Sequence, residues 1–194
     1  MKFFAIFVAA LTYAMLRYIV FGNVPIENLP CFVANKAFAL ASVLALLLAA
    51  YFGFKKRSDF EREWFAFFKV TLFLHLALSF VLFSPQYYPK QFHDGRMTLF
   101  GELFMLFGVI ALCNLSMRVL VKEQLSTLQF MAALTPLAIA LHQFFLGASG
   151  WLKWHEWFGH MPPISLIGFV VAMVTFVLQI RRNTASGASP CVPD

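Results

Sequence analysis

Leu125–Gly147, LSTLQFMAALTPLAIALHQFFLG, is an apolar run carrying a single imidazole, His142. About 20 mainly apolar residues of helix are enough to cross the hydrocarbon core of a bilayer. An ionisable side chain inside such a helix is costly, tends to face the bundle interior, and calls for a named partner. The earlier run Trp64–Phe83 offers one, because it carries His75 in its middle.

The rest of the chain has the same character. Hydrophobic residues make up 61% of the 194 and charged residues 12%, about half the usual soluble share of roughly 25%. In water such a chain would expose far too much apolar surface, so an integral membrane protein is expected. Six runs reach spanning length: Phe3–Gly22, Phe32–Phe54, Trp64–Phe83, Thr98–Met117, Leu125–Gly147 and Pro163–Ile180. The expected fold is all-α, a six-helix transmembrane bundle over residues 1–182, with a disordered tail over 183–194. Residues 55–63 (KKRSDFERE) read as a polar connection, and no connection is long enough to form a second domain.

The net charge of +6 does not point to nucleic acid, since the basic residues flank the apolar runs. Counted on alternate sides, ten Lys and Arg lie with the N-terminus and five lie opposite. The positive-inside rule then places both termini in the cytoplasm, and a bacterial cytoplasmic membrane is the expected location. The opening MKFF resembles the start of a signal peptide. The apolar run continues without a small-x-small site, however, and is read as a retained helix. Cys31, Cys113 and Cys191 are dispersed, with no pair spaced for zinc, an iron–sulfur cluster or covalent haem. Cys113 is expected to pack within its helix.

Thr71, His75 and Ser79 recur at i, i+4 and form a thin polar stripe on the third helix. Thr135 and His142 share a face of the fifth, with Pro136 between them predicting a kink. Two imidazoles on different helices meet the minimum demand of a b-type haem, one axial donor on each side of the iron. Thr71, Ser79 and Thr135 are then candidates to hold the rings in place. A membrane His can also bond a hydroxyl or carbonyl without any cofactor. His142 lies closer to the end of its run than His75 does, so their depths are expected to differ by a few Å. His93, His155 and His160 fall in loops and read as interfacial residues, or as groups gating electrons and protons. Glu102 reads as a carboxylate at a helix N-terminus, with proton handling beside a haem or quinone as the alternative.

The order of segments, with NKAFAL, LFLHLALSF, LFGELFMLFGVIAL and LQFMAALTPLAIALH in succession, resembles the ferric-reductase-like transmembrane domain family. Its bacterial members include the haem-binding membrane subunit of the methionine sulfoxide reductase system. The resemblance covers the second to sixth helices and implies b-type haem held by His75 and His142. Two-haem members carry a second His on each of these helices, roughly four turns away. Here those positions hold Glu61 and Arg62, and Leu128 and Gln129, which implies a single-haem variant. The expected role is a b-type cytochrome subunit, passing electrons between membrane quinol or a partner subunit and an acceptor on the outward side. One haem b and a quinone are the expected cofactors, with lipid and other redox subunits as partners. The rival reading is a haem-free structural or assembly subunit of a larger membrane complex. A transporter is disfavoured by the scarcity of buried charge and the lack of inverted repeats.

Overall fold

A computed structural model describes residues 1–22, 29–120 and 125–187. It contains six helices long and apolar enough to cross a membrane. Helix α1 spans Lys2–Met15 and widens into a π-helical turn, Leu16–Val20. A second π turn, Leu29–Val33, leads into α2, Ala34–Phe54. Then follow α3 (Ser58–Leu82), α4 (Leu99–Leu120), α5 (Leu125–Trp151) and α6 (Ile164–Gly187).

Helix α2 is the hub, and its sequence explains why. Ala37, Ala41, Ala45 and Ala49 recur every four residues on one side and are all buried. Side chains this small let neighbouring backbones approach closely, the usual basis of helix contact where lipid offers no hydrophobic drive. Ala10 and Ala14 of α1 meet Ala37, Leu40 and Ala41. Trp64 and Phe68 of α3 pack on Leu46, Ala45 and Ala49. Val43 meets Ala140 of α5 and Ala172 of α6. Helix α5 lies between α4 and α6, while α3 packs on α2 and has no comparably close packing with α4 or α5. A gap is left between α3 and the α4–α5 pair.

Side chains on the outside are apolar and bare: Phe73, Phe80 and Val81 of α3 are 70–75% exposed. Such a surface is compatible with burial in lipid. The start of α1 and the last turns of α6 lie at one end of the bundle. There Lys2 pairs with Glu63, and Arg182 Nη1 meets Glu61 Oε1 at 2.6 Å. At the opposite end, here called distal, Tyr13 donates to the Pro162 carbonyl at 2.7 Å and Arg17 donates to that of Met161.

Several boundaries differ from expectation. Helix α3 begins at Ser58, so most of the expected polar connection is its first two turns. Asp59 and Glu61 offset the helix dipole there, and Arg62 bonds Asp59 at 3.0 Å. Helix α5 runs unbroken through Pro136 and continues past Gly147 to Trp151. Helix α6 continues to Gly187, so residues 183–187 of the expected tail are helical; residues 188–194, with Cys191, lie outside the described residues. Cys113 is exposed on α4 rather than packed, on a helix whose outer side is apolar and bare. The distal connection between α3 and α4 holds a two-residue hairpin, Phe92–His93 paired with Arg96–Met97. Asp94 (φ 48°) and Gly95 (φ 74°) both adopt the left-handed conformation that such a tight turn demands.

Candidate functional site

The gap between α3 and the α4–α5 pair is a cavity of about 490 Å³, within the roughly 300–1,000 Å³ usual for cofactor and ligand sites. Phe68, Leu72, Phe104, Leu112 and Ile139 give it apolar walls, and both His75 and His142 face into it. His75 lies seven residues before the end of α3, and His142 nine before the end of α5. Their depths therefore match to about 3 Å at 1.5 Å of rise per residue. The longer α5 reverses the sense of the offset expected from the apolar runs, so that His142 is now the ring farther from its helix end.

Each ring is held by Nδ1. His75 Nδ1 lies 2.6 Å from Asn35 Oδ1, and His142 Nδ1 lies 2.9 Å from the Phe104 carbonyl oxygen. Both oxygens are acceptors, so each Nδ1 carries the proton and each Nε2 keeps its lone pair. Fixing one ring nitrogen on an oxygen acceptor is the usual way of orienting a metal-ligating His.

Asn35 is fully buried near the start of α2. Its Oδ1 accepts from His75 and also from Ser79 Oγ at 3.2 Å, while its Nδ2 donates to Tyr88 Oη at 3.2 Å. Tyr88 stacks on Phe104 with centroids 6.2 Å apart, and Phe104 lies against the His142 ring at 4.4 Å. One chain of contacts thus links the two imidazoles: His75, Asn35, Tyr88, Phe104, His142. Gly108 completes it, since a Cβ there would come within 2.9 Å of His142 Nδ1. Without a side chain at that turn of α4, the ring can reach the carbonyl one turn earlier.

The candidate ring-holding hydroxyls separate. Ser79 lines the cavity beside His75, its Oγ 3.4 Å from Nδ1. Thr71 does not line it: its hydroxyl donates back to the Phe67 and Phe68 carbonyls of its own helix at 2.9 and 3.1 Å. Thr135 is buried but lies away from the cavity walls. The i, i+4 spacing is the same on both sides of His75, but a Thr in an apolar helix can satisfy its hydroxyl on the preceding turn, as Thr71 does. Glu102 is exposed in the first turn of α4, and His93, His155 and His160 are exposed in the distal loops; none of the four lines the cavity. Glu61 and Arg62 lie at the opposite end, in ion pairs; the side chains of Leu128 and Gln129 lie outside the described residues.

Sequence reasoning did not select Asn35, Tyr88 or Phe104. Asn35 carried a readable signal, an amide within an apolar helix that must find partners inside the bundle. The Phe104 acceptor is a backbone atom, and no sequence marks it. Neither the protein-family models, nor the curated proteins, nor the solved structures compared with this chain match it.

The residues present fit a haem. Imidazoles from two different helices line one largely apolar cavity, and each has at Nδ1 the acceptor that such a ligand requires. Among the described residues no group of three metal-binding side chains occurs, and axial ligation of a porphyrin iron needs only two.

Proposed function

We propose that this chain is a membrane-embedded b-type cytochrome subunit, with one haem held between His75 and His142. The observation that carries the reading is the matched setting of the two rings, each fixed through Nδ1 on an oxygen and each facing the same cavity. The resemblance to ferric-reductase-like transmembrane domains agrees with it. When bound, the haem would supply a one-electron couple. The chain's own part is to hold both ligands in one tautomer, keep water from the iron with aromatic and aliphatic walls, and set the potential through burial and the Asn35 and Phe104 acceptors.

The six apolar helices support a membrane location, and the excess of Lys and Arg at the end where α1 begins supports the bacterial cytoplasmic membrane with both termini inside. The cavity and its His pair then lie in the outer half. A quinol or a partner subunit supplies electrons, and the acceptor docks outside. The chain is a redox subunit rather than a complete enzyme.

The deciding measurement is a dithionite-reduced minus air-oxidised visible spectrum of protein from haem-replete cells. The expected result is a sharp b-type α-band at one haem per chain, lost in both His75→Ala and His142→Ala. A colourless wild-type protein that also fails to take up added haem would overturn the reading in favour of a structural subunit.

A further inference from the structure

The cavity is not uniformly apolar. At its distal end three cations line it: Arg17 from the π turn of α1, Lys36 from α2, and Lys90 from the connection before α4. Arg17 is only 5% exposed. One of its Nη atoms is taken by the Met161 carbonyl, but its Nε, buried as well, has no hydrogen-bond partner among the described residues. Its guanidinium lies over Phe158 at 5.4 Å and Tyr18 at 5.7 Å. Lys36 Nζ lies over Tyr88 at 4.7 Å and Phe32 at 5.1 Å, aromatic faces rather than a carboxylate. Lys90 Nζ lies beside Gly150, and both line the cavity.

Among the described residues none of the three makes an ion pair. The acid that lines this end, Glu156, is exposed and bonded to Lys153 at 3.2 Å. Burying a guanidinium whose N–H is unpaired is costly, and an anion on it would remove the cost. Arg is also the side chain best matched to a carboxylate, which its fork can take through two donors.

We propose that the distal end of the cavity is a carboxylate-binding site, in which Arg17, Lys36 and Lys90 take the two acidic side chains of the haem and so fix which edge of the macrocycle points out of the bundle. This rests on the haem reading and sharpens it. A neutral quinone offers three cations two carbonyl acceptors but no negative charge, whereas an amphiphile with an apolar body and two carboxylates matches both the walls and the mouth. The acids would then be held at the distal end, by Arg17, Lys36 and Lys90, with Phe68 and Leu72 left to line the apolar remainder of the cavity.

The test compares haem b with its dimethyl ester, identical in shape and ligation but without the negative charges. Each is titrated into apo-protein in a neutral detergent, followed by the Soret band. Wild type is expected to bind the free acid at least about tenfold more tightly than the ester. Arg17→Gln, Lys36→Gln and Lys90→Gln should each narrow that preference while leaving affinity for the ester nearly unchanged, so the ester also reports on folding. Should Arg17→Gln lose both ligands, the exposed Lys90 and half-buried Lys36 still decide the matter. Equal wild-type affinity for acid and ester, or a preference untouched by all the folded variants, overturns the carboxylate site and leaves the cytochrome reading standing. Wild type that binds neither overturns both.

Discussion

Asn35 Oδ1 lies 2.6 Å from His75 Nδ1, an amide of the most buried helix holding an imidazole of its neighbour. Removing that acceptor leaves a ring N–H unpaired in an apolar bundle, at about 1–3 kcal/mol. Loss of such a partner typically weakens a metal–His site by about 10–100-fold. Asn35→Leu is therefore expected to lower haem affinity by that order. Asn35→Asp should keep the haem and lower its midpoint potential, since an anionic acceptor makes the ligand more basic. Haem titration and a potentiometric titration read the two effects; an unchanged potential in Asn35→Asp would remove Asn35 from any part in tuning.

Gly108 gives the second imidazole its room. A methyl group there would stand 2.9 Å from His142 Nδ1, closer than packing tolerates, so the ring must move off the Phe104 carbonyl. Gly108→Ala is expected to perturb the low-spin ferric EPR signal, and Gly108→Leu to lower the haem content to well under half. Full occupancy with a wild-type EPR signal in Gly108→Leu would mean that His142 is not a ligand in this pose.

The two hydroxyls flanking His75 should behave differently. Ser79→Ala removes one donor from Asn35 Oδ1 and a 3.4 Å contact with the ring, so a shift in potential smaller than that of Asn35→Asp is expected. Thr71→Val removes only a bond to the Thr's own helix, so potential and haem content should stay at wild type. A reversed order would show that Thr71, not Ser79, faces the ligand.

Stability should be most sensitive where α5 crosses α6. A Cβ on Gly147 would come within 2.7 Å of Ser165 Cβ and of the Trp151 indole nitrogen, both fixed by packing. Gly147→Ala is expected to destabilise by about 1–3 kcal/mol, the usual penalty of overpacking. Gly150→Ala meets only the end of the flexible Lys90 side chain at 3.3 Å and should be near neutral. Thermal unfolding in detergent, followed by circular dichroism, compares the two; equal midpoints would contradict this crossing.

The exposed loop imidazoles should be dispensable for haem. His93, His155 and His160 lie outside the cavity, so the triple Ala variant is expected to retain one haem per chain with an unaltered α-band. Loss of the band would place one of them at the iron.

Composition and run length alone determined the architecture: six apolar stretches, each long enough to span, predict six helices, and the described residues form six of that length and character. The same patterning singled out His75 and His142, since an imidazole is conspicuous against leucine and phenylalanine. Helix ends were less legible. SDFERE looks like a loop because its residues are polar, but polar residues with acids in the first turn also start helices, as they do in α3. What holds the rings was decided by tertiary structure alone. Asn35 is forty residues from His75 and meets it only because α2 and α3 pack together, and the acceptor for His142 is a carbonyl whose reach depends on a glycine in another helix. Periodicity along one helix reports which side faces inward; which atoms meet across helices depends on crossing and register, which no single helix encodes.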